Sequence, residues 1–200
     1  MMQVDNVPMR KIILASSSPR RREILERVGL VFTVDPAHIE EDMSRLGVGG
    51  AARAVKKLAL RKAITVALRH TNAIVIGADT AISIGNKVWS KPVNKREASM
   101  MLRTLSGKAH DVWTGFCIID TKKGKKVVRA VRARVTFRSL TPKEISRYIA
   151  TGEPMDGAGG YKIQESGGFL ISEIRGDYNN IIGLPLEAVL EELKKLGIKQ

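Results

Sequence analysis

The stretch at residues 11–29, KIILASSSPRRREILERVG, contains the change from strand to helix that decides the fold class. Its first part, residues 11–15, is apolar after Lys11 and typical of a short buried strand. Ser18 followed by Pro19 is typical of a helix start, and Gly29 lies where a left-handed residue often ends a helix. We therefore expect a strand that passes directly into a helix of about three turns.

The corner between this strand and helix is cationic. It carries three serines followed by Arg20, Arg21 and Arg22. A helix start offers unpaired amides and the positive end of its dipole, so together with these side chains it would favour an anion such as phosphate. The stretch alone favours a simpler interpretation, a capped surface helix whose arginines are solvated.

The rest of the chain repeats both patterns. Strand patterns lie at residues 32–34, 73–77, 81–84, 112–119, 127–137 and 169–174, and helical patterns lie at residues 51–68, 94–107, 141–152 and 185–196. Strands interspersed with helices, with neighbouring strands in the middle, predict a mixed α/β sheet with flanking helices. We expect a tail at residues 1–10 and one domain over residues 11–200.

Composition limits the class of protein. Of the 200 residues 44% are hydrophobic, which is typical of a globular chain, and no apolar run approaches the about 18 residues that a membrane span needs. The lone Cys117 lies in an apolar stretch, which is consistent with a reducing cytoplasm. The net charge of +14 favours polyanionic partners such as nucleotides or nucleic acid, but aromatic residues make up only 4% and do not supply a stacking platform for single strands.

Two charged residues stand out within apolar patterns. Lys62 falls in the middle of the apolar stripe of the helix predicted at residues 51–68, which indicates either a snorkelling side chain or a functional site. Asp79 follows the apolar strand predicted at residues 73–77. A carboxylate at the end of a buried strand suits a metal ligand or a general base, although an aspartate that caps a turn is as well supported locally.

Other segments offer weaker signals. Glu40, Glu41 and Asp42 could hold a hard divalent cation, but three adjacent acids are more often a solvated loop. Lys91 precedes Pro92 and is therefore biased towards an extended backbone. The chain has no zinc-like spacing of histidine and cysteine, no G-x-S-x-G elbow and no G-x-x-x-x-G-K-[ST] phosphate loop.

Read together, these segments form an ordered set: LASSSPRR, IEE, LALRKA, IGADT, SKP, LSGKAHDVWTG, EPMDGAGGYKIQ and GDYNNIIGLP. In this order and with similar gaps, the set resembles the motifs of the Maf family of nucleoside triphosphate pyrophosphatases. The resemblance covers about residues 11–196 and is far more specific than any one motif. Within the family, SPRR, GADT, KP and IQ look like the branch that acts on dTTP and UTP.

The resemblance implies a reaction and a shape. The reaction is hydrolysis of a nucleoside triphosphate between its α and β phosphates, which releases a monophosphate and pyrophosphate and uses a divalent metal ion, Mg²⁺ or Mn²⁺. The shape is a sheet with two lobes around a basic central cleft, similar to inosine triphosphate pyrophosphatase. A cytoplasmic homodimer is also implied.

The resemblance also assigns roles residue by residue. The substrate-binding residues that it implies are Ser16, Arg20, Arg21, Thr80 and Gln164. The catalytic residues that it implies are Lys62, Lys91, Glu41 and Asp79, of which Glu41 and Asp79 would also hold the metal.

Two other functions stay open. The nearer one is a house-cleaning pyrophosphatase for 7-methyl-GTP or inosine nucleotides. The other is a basic protein that binds nucleic acid or a cell-division partner, which the charge and the family's association with septum formation suggest.

Overall fold

A computed structural model describes residues 10–39, 50–85 and 87–198 of the chain. Its strands are β1 (Lys11–Leu14), β2 (Thr33–Val34), β3 (Ala73–Ile84), β4 (Lys87–Trp89), β5 (Ala109–Asp120), β6 (Lys125–Phe137) and β7 (Ile171–Arg175). Its α-helices are α1 (Pro19–Glu26), α2 (Gly50–Ala67), α3 (Lys95–Leu105), α4 (Pro142–Ala150), α5 (Tyr178–Ile182) and α6 (Leu186–Lys195). Three short 3-10 helices, Glu153–Asp156, Ala158–Gly160 and Ser166–Leu170, lie between α4 and β7.

The strands form one mixed sheet in the order β2-β1-β3-β5-β6-β7, with β4 also paired to β3. β1 is parallel to both β2 and β3, whereas β3, β5, β6 and β7 are joined by antiparallel pairings. The prediction of a mixed α/β sheet with flanking helices is therefore confirmed.

The prediction of two separate strands around Asp79 is wrong. β3 runs without a break from Ala73 to Ile84, so Asp79 lies inside a strand and not at its end. The strand continues because β5 pairs with it from Ile74 to Ser83, which gives the polar residues ladder partners.

The other edge of β3 is paired only at its two ends. β1 pairs with β3 as far as Ile76, and β4 begins to pair with it at Ile82. Among the described residues no strand pairs with the edge between them, which contains Asp79 and Thr80. This gap leaves part of a central strand open to a ligand.

Helices cover both faces of the sheet. On one face α2 packs against β3, β5 and β6, and its residues Ala59, Ala63 and Val66 belong to the buried apolar cluster of this face. On the other face α1 and α6 cover one half of the long strands, and α3 and α4 cover the other half. The gap in the pairing of β3 lies between these two halves.

The local signals of the sequence mostly correspond to the observed helix ends. The side chains of Asn94 and Thr141 cap α3 and α4, because each accepts a hydrogen bond from the backbone amide three residues on. α1 is shorter than expected, with 8 residues, and Ser18 at its start makes no capping bond with its side chain. None of the helices within the described residues is long and apolar enough to cross a membrane.

Candidate active site

A cleft of about 210 Å³ opens where the edge of β3 is unpaired. Its walls come from the corner between β1 and α1, from α2, from the segment after β4, from the glycine-rich segment between α4 and β7, and from α5. The cleft therefore draws on elements that are far apart in the sequence.

The predicted residues that line this cleft are Ser16, Arg20, Arg21, Lys62, Asp79, Thr80, Lys91 and Gln164. Glu41, together with its neighbours Glu40 and Asp42, lies outside the described residues. The structure thus gathers the described members of the predicted set, while their roles in a reaction stay predictions.

The corner after β1 is organised by Arg21, which is buried. Its Nε donates to the carbonyl of Gly183 at 2.8 Å, its Nη1 to Ser16 Oγ at 3.0 Å and its Nη2 to Thr80 Oγ1 at 3.2 Å. Ser16 Oγ also accepts from the backbone amide of Ser18 at 3.2 Å. With both lone pairs of this oxygen engaged, the Ser16 hydroxyl can offer a ligand its proton.

A chain of hydroxyls continues from Arg21 into the core. Thr114 Oγ1 donates to the carbonyl of Asn180 at 2.7 Å, so its own proton is used. Thr80 Oγ1, 3.0 Å from Thr114 Oγ1, must then donate to it while accepting from Arg21. The Thr80 hydroxyl can therefore accept one more hydrogen bond, from a ligand N–H or O–H, but cannot donate to a phosphate oxygen.

Lys62 and Asp79 form a buried ion pair at the floor of the cleft. Lys62 Nζ on α2 donates to Asp79 Oδ1 on β3 at 2.7 Å, and the two residues are each 5% exposed. The lysine in the apolar stripe is thus explained by a charged partner on the sheet and not by snorkelling. The hydrogen bond from Lys62 fixes the position of this carboxylate, a group that can act as a base or as a metal ligand.

A second carboxylate, Asp156, lies at the mouth of the cleft among three cations. Arg20 Nη1 donates to Asp156 Oδ2 at 2.9 Å, and Arg20 Nη2 donates to the Asp156 carbonyl at 2.8 Å. Lys91 Nζ donates to Asp156 Oδ1, and Lys162 Nζ lies 3.8 Å from Asp156 Oδ2. Burial raises the pKa of Asp156, but hydrogen bonds from Lys91 and Arg20 outweigh it and hold that pKa below the usual value.

Sequence reasoning did not assign Asp156 or Lys162 to the site. Both belong to the glycine-rich stretch at residues 153–168, from which only Gln164 was selected. The signal that could have found Lys162 is its place two residues before Gln164. Nothing in the sequence indicates that Arg20 and Lys91 meet on Asp156, which is 136 residues from Arg20.

No group of three or more His, Cys, Asp or Glu side chains within residues 10–39, 50–85 and 87–198 is arranged to hold a metal ion. Asp79 is the carboxylate that lines the inner part of the cleft, and Asp156 is surrounded by cations. Of these two, Asp79 is the better candidate for a metal ligand.

Comparisons with known proteins find relatives that match nearly the whole chain. The family model described as Maf-like protein matches residues 11–196. The dTTP/UTP pyrophosphatase of Desulforamulus reducens is 44% identical over 191 residues, which are 96% of this chain and 99% of that protein. The dTTP/UTP pyrophosphatase of Moorella thermoacetica is 47% identical over 190 residues, 95% of this chain and 97% of that protein.

Two solved structures are similar at low identity. A HAM1 protein from Coxiella burnetii has a TM-score of 0.49 and 13% identity, covering 94% of this chain and 100% of that one. A nucleoside-triphosphatase, dITP/XTP pyrophosphatase from Mycobacterium abscessus has a TM-score of 0.40 and 16% identity, covering 71% of this chain and 95% of that one.

Proposed function

The chain belongs to the Maf family, and on this premise we propose that it hydrolyses dTTP and UTP to the monophosphate and pyrophosphate. Relatives at 44% and 47% identity over nearly the full length carry the name of this activity. The observation that carries the proposal is the convergence of cations from three parts of the chain with Asp79 on one cleft.

The substrate's phosphates would bind at the mouth of the cleft. Arg20 and Lys91 offer charged donors, and Ser16 offers a hydroxyl proton beside the start of α1. Donors fixed in advance around phosphate oxygens stabilise charge that develops during phosphoryl transfer, which is the main catalytic contribution in this class of reaction.

Asp79 would act on the attacking water. Its carboxylate accepts the water's proton as the water oxygen bonds to the α phosphorus, and the bond to the bridging oxygen breaks to release pyrophosphate. Lys62, at 2.7 Å, keeps the carboxylate oriented towards the water.

The described residues of the cleft supply part of a binding site for the divalent metal implied for the family. Mg²⁺ in phosphate-transfer sites commonly binds one or two carboxylates together with phosphate oxygens, so Asp79 can supply one ligand and the substrate others. Glu41 is our proposed second ligand, outside the described residues. When bound, the metal would offset charge on the phosphate oxygens.

The base would be selected near Gln164, which lies at the exposed rim of the cleft. Uracil and thymine present an N–H between two carbonyls, and an amide side chain offers both a donor and an acceptor to such an edge. Cytosine lacks that N–H, so we expect CTP to be a poorer substrate.

A panel of nucleotides tests the proposal. Purified protein with Mg²⁺ or Mn²⁺ is incubated with dTTP, UTP, CTP, ITP and 7-methyl-GTP, and kcat/KM is measured for each. We expect dTTP and UTP to exceed the others by at least about tenfold, which corresponds to the net free energy of one hydrogen bond. Preference for ITP or 7-methyl-GTP would instead identify one of the neighbouring pyrophosphatases.

Cytoplasmic location and a homodimer remain part of the proposal.

Binding to nucleic acid is less well supported by the structure, because arginines on the exposed face of β6 are paired with acids. Arg134 and Arg132 share Asp111, at 2.9 and 3.8 Å. A salt titration with duplex DNA tests this second function, which fails if no binding occurs at low salt.

A further inference from the structure

Three cations from separate parts of the chain converge on one acid at the mouth of the cleft. Arg20 comes from α1, Lys91 from the segment after β4, and Lys162 from the glycine-rich segment. Each lines the cleft, and each lies within salt-bridge distance of the Asp156 side chain.

The donors around Asp156 reach both oxygens of its carboxylate and its backbone carbonyl. Its Oδ2 faces Arg20 and Lys162, its Oδ1 faces Lys91, and Arg20 also reaches the Asp156 carbonyl. The same charged donors bind carboxylates and phosphates, because both groups spread negative charge over two or more oxygens. These oxygens lie in one plane in a carboxylate and at the corners of a tetrahedron in a phosphate.

The Asp156 cluster also differs from the other ion pair of the cleft in its exposure. The Asp156 side chain is 48% exposed, whereas the side chains of Lys62 and Asp79 are 6% and 7% exposed. A solute anion can therefore reach the cations around Asp156 and compete with its carboxylate, while the pair on the cleft floor is shielded.

We propose that the Asp156 carboxylate occupies, in the free protein, the position where Arg20, Lys91 and Lys162 bind the pyrophosphate end of the substrate. This inference rests on the proposed function, because it takes a nucleoside triphosphate as the ligand. Polyphosphate displaces the carboxylate from the cations, and Lys162 becomes a third phosphate-binding cation beside Arg20 and Lys91.

The exchange has two consequences. It prevents three cations from repelling one another in the free cleft, since one carboxylate neutralises part of their charge. It also favours release of pyrophosphate after hydrolysis, because the returning carboxylate competes with the product for the same donors.

Binding of inorganic pyrophosphate, measured by calorimetry without metal, tests this inference independently of turnover. We expect Asp156→Asn to bind pyrophosphate about tenfold more tightly than the wild type, because the competing charge is gone. We expect Lys162→Met to bind it about fivefold more weakly, because one charged contact is lost.

Two matched variants control for net charge. Asp111→Asn removes a carboxylate that Arg134 and Arg132 share outside the cleft, so pyrophosphate affinity should not change. Glu165→Gln removes the other acid that contacts Lys162, at 3.1 Å, without being a lining residue. Its effect should be below about threefold, since Arg20 and Lys91 keep their contacts with Asp156.

The displacement is overturned if Asp156→Asn, with an unchanged melting temperature, binds pyrophosphate no more tightly than the wild type, or gains no more than Glu165→Gln. The role of Lys162 is overturned if Lys162→Met binds pyrophosphate as the wild type does. Failure of the proposed function has a different signature: no nucleotide is hydrolysed, while Asp156→Asn still binds pyrophosphate more tightly.

Discussion

At the scale of single residues, Arg21 and Arg22 are adjacent arginines that differ in burial and in their hydrogen-bond partners. Arg21 is buried and donates to Ser16, Thr80 and Gly183, which lie in three separate parts of the chain. Arg22 is exposed and bonds to Glu26 on its own helix. The sequence assigns Arg21 to phosphate binding, but its contacts indicate that it holds the corner, strand β3 and the end of α5 together.

Replacing Arg21 by lysine should therefore affect both stability and turnover. Lysine keeps the charge but cannot reach three acceptors at once, so we expect the free energy of unfolding to fall by about 3 kcal/mol and kcat/KM to fall with it. The control, Arg22→Lys, should change neither quantity in thermal denaturation and kinetic assays. Equal effects of the two variants would contradict the structural role of Arg21.

Two substitutions of Asp79 distinguish its role in turnover from its role in stability. Asp79→Asn keeps an oxygen that can accept from Lys62 Nζ but removes the base, so turnover should fall by at least about 100-fold. The free energy of unfolding should fall by about 3 kcal/mol, because the buried Lys62 ammonium keeps an acceptor but loses its counter-charge, and by more in Asp79→Ala, which also removes the acceptor. Retained turnover in Asp79→Asn would exclude Asp79 as the base.

At the scale of elements, the position of Lys62 depends on how closely α2 approaches the sheet. A Cβ added at Gly77 of β3 would lie 2.5 Å from the carbonyl oxygen of Ala59, and one at Gly115 of β5 would lie 2.5 Å from that of Val55. Only glycine permits this contact between helix backbone and strand. The close contact brings Lys62 within hydrogen-bond distance of Asp79.

Gly77→Ala should push α2 away from β3. We expect a loss of about 2–3 kcal/mol in the free energy of unfolding, and a fall in turnover because Lys62 moves away from Asp79. Gly124→Ala, in an open turn with φ of +64°, should cost about 1 kcal/mol and leave turnover unchanged. Denaturant unfolding and steady-state kinetics of both variants check this.

The sequence predicted most elements because their signals are local. Asn94 and Thr141 start helices through bonds to residues three positions on, and β6 alternates between buried Ala133, Val135 and exposed Arg134. β3 was divided in the prediction because Asp79 interrupts an apolar run. Its continuity depends on pairing with β5, which is a long-range contact that local patterns do not report.

At the scale of the whole molecule, the recognised motifs predicted which residues line the cleft but not how they pair. Lys62 and Asp79 were both selected, yet their ion pair depends on the packing of α2 on the sheet. Asp156 was not selected, because its place in the site depends on ion pairs with Arg20 and Lys91 that form only in the folded chain. Motifs indicate the chemistry available, whereas the tertiary fold decides which charges meet.

The stability of the whole molecule should depend on His110, which is buried against Phe137 and hydrogen-bonded to Tyr161 at 2.8 Å. Its Nδ1 has no hydrogen-bond partner among the described residues, so a second N–H there would be unsatisfied. Burial lowers the pKa of His110 to about 4, against a weaker opposite effect of Asp111.

Because this pKa is lower in the folded state than in the unfolded one, the unfolded state binds more protons between about pH 6.5 and 4. The stabilisation from neutral His110 is complete above pH 6.5 and falls with pH by about 3 kcal/mol down to pH 4. His110→Gln should lack this pH-dependent stabilisation. The difference in unfolding free energy between the wild type and His110→Gln, measured by denaturant unfolding, should therefore narrow as pH falls. A difference that does not change with pH would contradict this role of His110.

The measurement that tests the central claim most directly is hydrolysis of UTP in ¹⁸O-labelled water, with both products analysed by mass spectrometry. If the cations at the mouth of the cleft hold the departing pyrophosphate and Asp79 directs water to the α phosphorus, UMP will carry one ¹⁸O atom and pyrophosphate none. Formation of UDP and phosphate, or ¹⁸O in the pyrophosphate, would contradict it.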